Sequence, residues 1–112
     1  MIKSSCFLIF CLSITSYSQI QLGEALYGEA AEDEFGVSIS LSDNGSIMAV
    51  SAIYNDGNGT DSGQVRIFQN TGGIWNQMGQ DIYGEHAGDA SGMSVSLNGD
   101  GSIVAIGARW ND

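Results

Sequence analysis

QLGEALYGEAAEDEFGVSISLSDNGSIMAVSAIYND, residues 21–56, returns as QMGQDIYGEHAGDASGMSVSLNGDGSIVAIGARWND, residues 77–112, with no insertion or deletion and 18 of 36 positions identical. The offset is 56 residues, and the substitutions exchange like for like: Val37 for Met93, Ile39 for Val95, Met48 for Val104. A period of this order marks a solenoid, a propeller or an array, in which a unit buries its apolar faces only against its neighbours.

Within one period, apolar runs are separated by turns rich in Gly, Asn and Asp, and the chain has no proline. The pattern predicts four strands. In residues 36–41, Val37, Ile39 and Leu41 alternate with Ser38 and Ser40, the period of two of a strand with unlike faces. Residues 47–53 are almost continuously apolar, as expected of a strand covered on both sides. Residues 64–69 carry Val65, Ile67 and Phe68. Residues 74–83, broken by Gly79 and polar at Asn76, Gln77, Gln80 and Asp81, suit an exposed edge. Asp43-Asn44-Gly45, Asn98-Gly99-Asp100-Gly101 and Thr71-Gly72-Gly73 supply the tight turns, because these residues accept positive φ.

No segment beyond residue 18 has the 3.6-residue apolar spacing of an amphipathic helix, so the chain reads as all-β. Four antiparallel strands per 56-residue repeat make one blade of a β-propeller. Small Ser38 and Ser40 on one face and bulky Val37, Ile39 and Leu41 on the other are expected to fit successive blades together. Residues 21–27 match residues 77–83, the end of a fourth strand, and are expected to be an outer strand that closes a ring. The expected division is a signal peptide over 1–18, a closing strand and loop over 19–35, a first blade over 36–91 and a partial second blade over 92–112. The ring would be incomplete, and the chain is expected to be a fragment of a longer array.

Residues 1–18 carry one cation, Lys3, an apolar run from Cys6 to Leu12, and the small-x-small end Ser16-Tyr17-Ser18. That is the pattern of a secretory signal peptide cut after Ser18, and its apolar core is well short of the roughly 20 residues of a membrane span. Both cysteines, Cys6 and Cys11, lie in it, so the rest of the chain has no thiol for a disulfide framework. Beyond residue 18, 13 acidic groups face only Arg66 and Arg109. Such a surface repels phosphate backbones and anionic lipid heads, which argues against nucleic-acid and membrane-surface partners.

Phe35-Gly36 followed by Val37-Ser38-Ile39-Ser40, Ser51-Ala52-Ile53, and Gln64-Val65-Arg66-Ile67-Phe68 together resemble the FG-GAP repeats of integrin-alpha-type β-propellers, in the variant of secreted bacterial repeat proteins. Ser91-Gly92 and Gly107-Ala108-Arg109 hold the matching places in the second copy, so the likeness runs over essentially all of residues 21–112. The resemblance implies a propeller, usually seven-bladed, that serves adhesion, scaffolding and occasionally catalysis. Calcium-binding members carry an Asp-x-Asp-x-Asp-Gly loop between the two signature marks. Here the stretches are Ser42-Asp43-Asn44-Gly45-Ser46 and Asn98-Gly99-Asp100-Gly101-Ser102, with one carboxylate each. Calcium takes six to eight oxygens, so calcium binding is not carried over to these loops.

Asp56-Gly57-Asn58-Gly59-Thr60-Asp61 places Asp56, Asn58 and Thr60 at alternate-residue ligand spacing. Asp61 stands where a calcium loop requires glycine and no bidentate Glu follows, so the segment reads as a turn, with calcium as the lesser alternative. Glu29, Glu32, Asp33 and Glu34 cluster ahead of the first strand, and paired carboxylates are the machinery of glycoside hydrolysis. Their counterparts are Glu85, Gly88, Asp89 and Ala90, so only Glu29/Glu85 and Asp33/Asp89 recur, which favours a structural cap. His86, the sole histidine, reads as a solvated loop residue. Trp75 and Trp110 are expected to pack on a neighbouring blade rather than stack on sugars. No catalytic, cofactor-binding or metal-ligating residue is assigned, and no cofactor. The expected function is that of a secreted or cell-surface, non-catalytic adhesion or interaction scaffold for an extracellular protein or glycan. The alternative is part of an extracellular propeller enzyme, a polysaccharide hydrolase or lyase, with active residues in blades outside this chain.

Overall fold

The turns that organise the chain are built by side chains closing on their own backbone. Asn44 Oδ1 accepts the Ser46 N–H at 3.0 Å and the Ser46 hydroxyl at 2.7 Å, while Ser42 Oγ accepts the Ile47 N–H at 3.0 Å. The second copy makes the same turn with other residues. Asp100 Oδ1 accepts the Ser102 N–H at 2.9 Å and its hydroxyl at 2.6 Å, and Asn98 Oδ1 accepts the Ile103 N–H at 2.9 Å. Asn, Asp and Ser are interchangeable here because each offers a short acceptor two or more residues back.

These turns set the strands of the computed structural model, which describes residues 20–112; the expected signal peptide, residues 1–18, lies outside them. The strands are β1 (Phe35–Leu41), β2 (Ile47–Ala52), β3 (Gln64–Thr71), β4 (Ile74–Tyr83), β5 (Ser91–Leu97) and β6 (Val104–Ala108). The first four form one antiparallel sheet in chain order, and β5 and β6 form a two-stranded antiparallel sheet. The described residues contain no helix. The fold is therefore all-β, with one four-stranded unit of propeller-blade form and the first two strands of the next.

Ala49, Val50, Ala52, Ile53, Val65 and Phe68 are buried, so β2 and β3 form the covered middle of the sheet. β4 is the exposed edge, as its polar composition predicts. β1 is the other edge, and its two faces differ. Cross-strand register places Ile39 beside Val50 and Leu41 beside Met48, and puts Ser40 with Ala49 on the opposite face. β5 lies across that serine face, chiefly on β1 and β2. Ser38 Oγ accepts the Val95 N–H at 3.1 Å and Ser40 Oγ accepts the Leu97 N–H at 3.0 Å. Small side chains let the strands approach, and their hydroxyls satisfy two backbone donors of β5.

The ladder is interrupted at the same place in both copies. The register of β1 on β2 shifts between Phe35 and Ile39, and that of β5 on β6 between Ser91 and Ser94. Gly36 has φ 96° and Gly92 has φ 101°, each preceded two residues earlier by a left-handed residue, Glu34 or Ala90. In the first copy the Ser51 hydroxyl fills the gap by accepting the Ser38 N–H at 3.0 Å.

Three expectations are corrected. Residues 20–27 form no strand, because an outer closing strand needs the free edge of a third strand to pair with, and the free edges here are β1, β4, β5 and β6. That segment instead rests on the β3–β4 hairpin, where Trp75 Nε1 donates to the Leu22 carbonyl at 3.1 Å. Trp75 is thus covered by the N-terminal segment and not by a neighbouring blade, while Trp110 is 60% exposed, with Arg109 4.7 Å above its ring. The unit boundaries also move by one residue: β1 begins at Phe35 and β5 at Ser91, ahead of the expected Gly36 and Gly92.

Gly36 and Gly92 share a backbone conformation and differ in surroundings, which separates two costs. A Cβ on Gly36 would meet nothing, whereas one on Gly92 would lie 2.6 Å from Ser51 Cβ and 3.2 Å from Val65 Cγ2. Gly36→Ala is expected to cost about 1–3 kcal/mol in backbone strain. Gly92→Ala carries the same strain and about 1–3 kcal/mol more from overpacking. Urea unfolding of the full chain reads this as a lower midpoint for Gly92→Ala than for Gly36→Ala.

Candidate functional site

The polar residues singled out in the sequence converge at the loop end of the sheet, around a buried carboxamide. Asn55 is 4% exposed, and its Nδ2 donates to Asp33 Oδ2 at 2.8 Å and to Glu29 Oε1 at 3.0 Å. Asp33 is also buried, and its carbonyl accepts the Tyr54 N–H at 3.2 Å. The second copy repeats the arrangement atom for atom: Asn111 Nδ2 donates to Asp89 Oδ2 at 2.9 Å and to Glu85 Oε1 at 3.2 Å, and the Trp110 N–H reaches the Asp89 carbonyl at 3.2 Å. Each cap ties the segment ahead of a unit's first strand to the end of its second. Glu32 and Glu34, which lack acidic counterparts in the second copy, stay exposed and outside the cap.

A second polar network branches from Glu29 across β3 and β4. Arg66 makes ion pairs with Glu29 Oε2 at 2.9 Å and Asp81 Oδ1 at 3.5 Å, and lies 5.6 Å from the Phe35 ring centroid. Gln64, 1% exposed, donates from Nε2 to Asp81 Oδ2 at 3.2 Å and accepts from Arg66 Nε at 3.1 Å, so its buried amide is satisfied. Tyr83 donates its hydroxyl to Asp81 at 3.1 Å, and that bond holds its pKa above the usual tyrosine value. One guanidinium thus neutralises two carboxylates that would otherwise repel each other.

The 54–63 loop is spent on the protein itself. Asp56 Oδ1 accepts the Asp61 N–H at 2.8 Å, closing the turn across its own base. Asn58 Nδ2 donates to the carbonyls of Gly84 at 2.8 Å and Glu85 at 3.1 Å, fastening the loop to the connection that leads into β5. A Cβ on Gly84 would collide with the Ser62 carbonyl, and one on Gly57 with the Tyr83 ring, so the two chain segments meet backbone to backbone at Gly84 and backbone to ring at Gly57. The His86 side chain is exposed, and its backbone N–H donates to Asp89 Oδ2 at 2.9 Å. Among the described residues no group of three or more His, Cys, Asp or Glu side chains is placed to hold a metal ion.

The opening beside the first cap has a volume of about 500 Å³ and is lined by Ala30, Glu32, Asp33, Tyr54, Asp56 and Asp61. It is a shallow acidic cleft with one aromatic wall. The sequence drew attention to most of its carboxylates, but not to Asn55 and Asn111 as the groups that organise them. Their signal was present, since the pair Asn55-Asp56 returns unchanged as Asn111-Asp112.

Residues 28–68 match the family model of the FG-GAP repeat. The chain carries an FG-GAP repeat. No curated protein and no solved structure matches the chain significantly. The matched span begins at Gly28, beside Glu29, and ends at Phe68 in β3, so the whole first cap and Arg66 lie inside the FG-GAP repeat.

Removing the carboxamide of the first cap leaves two carboxylates without their shared donor. Asn55→Ala is expected to destabilise the chain by about 1–3 kcal/mol, and Asn111→Ala by less, because Asn111 is exposed. The hydrogen bond from Asn111 lowers the Asp89 pKa below its usual 3.8, and bonds from Ser102 do the same for Asp100. A depressed carboxylate stabilises the fold above its unfolded-state pKa, and that contribution is lost as pH falls through the folded value. Unfolding followed from neutral pH to below 3.8 should therefore show the loss of these contributions only at the acid end. In Asn111→Ala the Asp89 carboxyl should titrate at higher pH, as read by NMR.

Proposed function

We propose that the chain is a non-catalytic interaction module, secreted or displayed at the cell surface, that engages its partner through the acidic loop end of the FG-GAP unit. One observation carries the reading: the carboxylates that could have served acid/base chemistry recur 56 residues on with the same asparagine partner, Glu29 and Asp33 with Asn55, Glu85 and Asp89 with Asn111. A group that repeats with its hydrogen bonds is architecture. The leader pattern of residues 1–18 supports an extracellular destination.

What stays exposed at that end is Glu32, Asp56, whose Oδ1 already holds the Asp61 N–H, and the Tyr54 ring, 41% exposed, around the cleft. An aromatic face flanked by carboxylates suits a cationic segment of an extracellular protein, a Lys or Arg laid on the ring with its charge near an acid. Surface display of the purified full chain to arrays of extracellular proteins and of glycans tests this. Capture of basic protein segments is expected, weakened about two- to fivefold by Tyr54→Ala, one lost contact of roughly 0.5–1 kcal/mol, and about tenfold by Glu32→Gln combined with Asp56→Asn, two such contacts. Capture that ignores these changes, or cleavage of a polysaccharide by the purified chain, overturns the proposal.

A further inference from the structure

The chain has three Asn-Gly pairs, Asn44-Gly45, Asn58-Gly59 and Asn98-Gly99, and the fold treats their carboxamides differently. Asn58 is pinned by its nitrogen, which donates to the carbonyls of Gly84 at 2.8 Å and Glu85 at 3.1 Å. Asn98 is held at both ends: its nitrogen donates to Ser102 Oγ at 3.1 Å and its oxygen accepts the Ile103 N–H at 2.9 Å. Asn44 is the reverse of Asn58. Its Oδ1 accepts three donors, the Ser42 hydroxyl at 3.2 Å, the Ser46 N–H at 3.0 Å and the Ser46 hydroxyl at 2.7 Å, while among the described residues its Nδ2 has no acceptor. The second copy fixes this orientation of the amide, because Asp100 holds the same place with the same bonds to Ser102, and a carboxylate only accepts.

We propose that Asn44 is a self-modifying residue, converted to aspartate within its own turn with water as the only co-reactant. The Gly45 nitrogen attacks Asn44 Cγ, and glycine at that position leaves the nitrogen unshielded. Three donors already directed at Oδ1 stabilise the negative charge that this oxygen gains in the tetrahedral intermediate. Collapse of the intermediate breaks the Cγ–Nδ2 bond. Nδ2 leaves as ammonia, taking up through solvent the proton that the Gly45 nitrogen gives up. The cyclic imide that remains then adds one water, and cleavage of its bond between Cγ and the Gly45 nitrogen leaves aspartate on the original backbone. The sum is amide plus water to acid plus ammonia, with nothing oxidised or reduced. The bond lost on the way is that of the Gly45 N–H to the Ser42 carbonyl at 2.9 Å. Gly59 has the like bond, to the Asp56 carbonyl at 3.2 Å, so what separates Asn44 from Asn58 is the setting of the carboxamide.

The product fits without rearrangement. Asp100 displays it one period later, with its Oδ1 on the Ser102 N–H at 2.9 Å and on the Ser102 hydroxyl at 2.6 Å. Those bonds hold the Asp100 carboxyl below its usual 3.8, so this cradle favours the anion. At Asn58 the same conversion would set a carboxylate against two carbonyl oxygens. Conversion of Asn44 adds a negative charge beside Asp43, at the end of β1 away from the loop-end cleft, and is independent of what that cleft binds.

Mass spectrometry of peptides from the full chain, incubated folded and in urea at one neutral pH and sampled over time, tests the proposal. In the folded chain Asn44 is expected to convert ahead of Asn58 and Asn98, and in urea the three should convert at similar rates. Ser46→Ala removes one donor from Oδ1, so it should slow Asn44 about fivefold in the folded chain, the effect of one hydrogen bond, and leave the rate in urea unchanged. Asn44→Asp should unfold at the wild-type urea midpoint, and Asn58→Asp at a lower one. Circular dichroism checks that Ser46→Ala keeps its strands, and if it does not, the order of conversion in the wild type decides. The proposal is overturned if Asn44 converts no faster than Asn58 in the folded chain, or leads by the same ratio in urea. A folded Ser46→Ala chain that converts at the wild-type rate overturns it as well.

Discussion

The structure depends on a constraint at one strand: β1 must be small and hydroxylic on one face and bulky on the other. Period-two alternation delivers that arrangement without further design, since Ser38 and Ser40 lie on the side opposite Val37, Ile39 and Leu41. A one-residue slip would exchange the faces, placing aliphatic groups where β5 must approach and hydroxyls where apolar contact is needed. The register shift at Phe35 and Gly36 is what holds the alternation in phase with β2, and Ser51 meets the backbone donor that the shift exposes. Sheet pairing, unit packing and the glycine at φ 96° are thus consequences of the same requirement.

The loop end answers a different need. A sheet fixed only through its strands could rock on its neighbour, because serine hydroxyls locate β5 along one line. The caps and the 54–63 loop fix the remaining freedom: Asn55 gathers Glu29 and Asp33, Glu29 reaches Arg66, and Asn58 grips the backbone ahead of β5. Charges are tolerated in this place because each has a donor in reach, and a buried carboxylate without one would be far more costly. Acidity is therefore partly structural, and only the carboxylates outside these networks are free to meet a partner.

Most of the fold was legible because its signals are local. Alternation in residues 36–41, the continuous apolar run in residues 47–53 and the Asn/Asp/Gly turns each specify a strand or a hairpin without reference to the rest of the chain. Residues 21–27 failed for the opposite reason: their likeness to residues 77–83 records sequence, whereas strand formation depends on an available edge. Glu34 and Ala90 gave no warning of their left-handed backbone, since neither residue type favours it. The cap was half legible. Comparing the copies separated Glu29 and Asp33 from Glu32 and Glu34, but the donor they share lies more than twenty positions away in Asn55, and no spacing rule links them. The Arg66 and Gln64 network has no repeated counterpart within residues 77–112, so no comparison of the copies marks it.

Repetition also decides how the two surfaces of the molecule should be read. A residue that returns with the same partner, as Asn55 does in Asn111, is explained by the unit that contains it. A residue that returns with a different environment, as Ile39 does in Val95, is explained only by what lies next to the unit. Exposure of Val37, Ile39 and Leu41 therefore differs in kind from exposure of Tyr54. For the aliphatic stripe the chain itself displays the occupied state 56 residues later, complete with its hydrogen bonds. For the Tyr54 cleft the example is of another kind: the ring at the equivalent place, Trp110, is stacked with Arg109 of its own unit. That pairing shows on this chain's own surface how an aromatic at this position receives a guanidinium, and it supports the cationic partner proposed for the Tyr54 ring of the first unit.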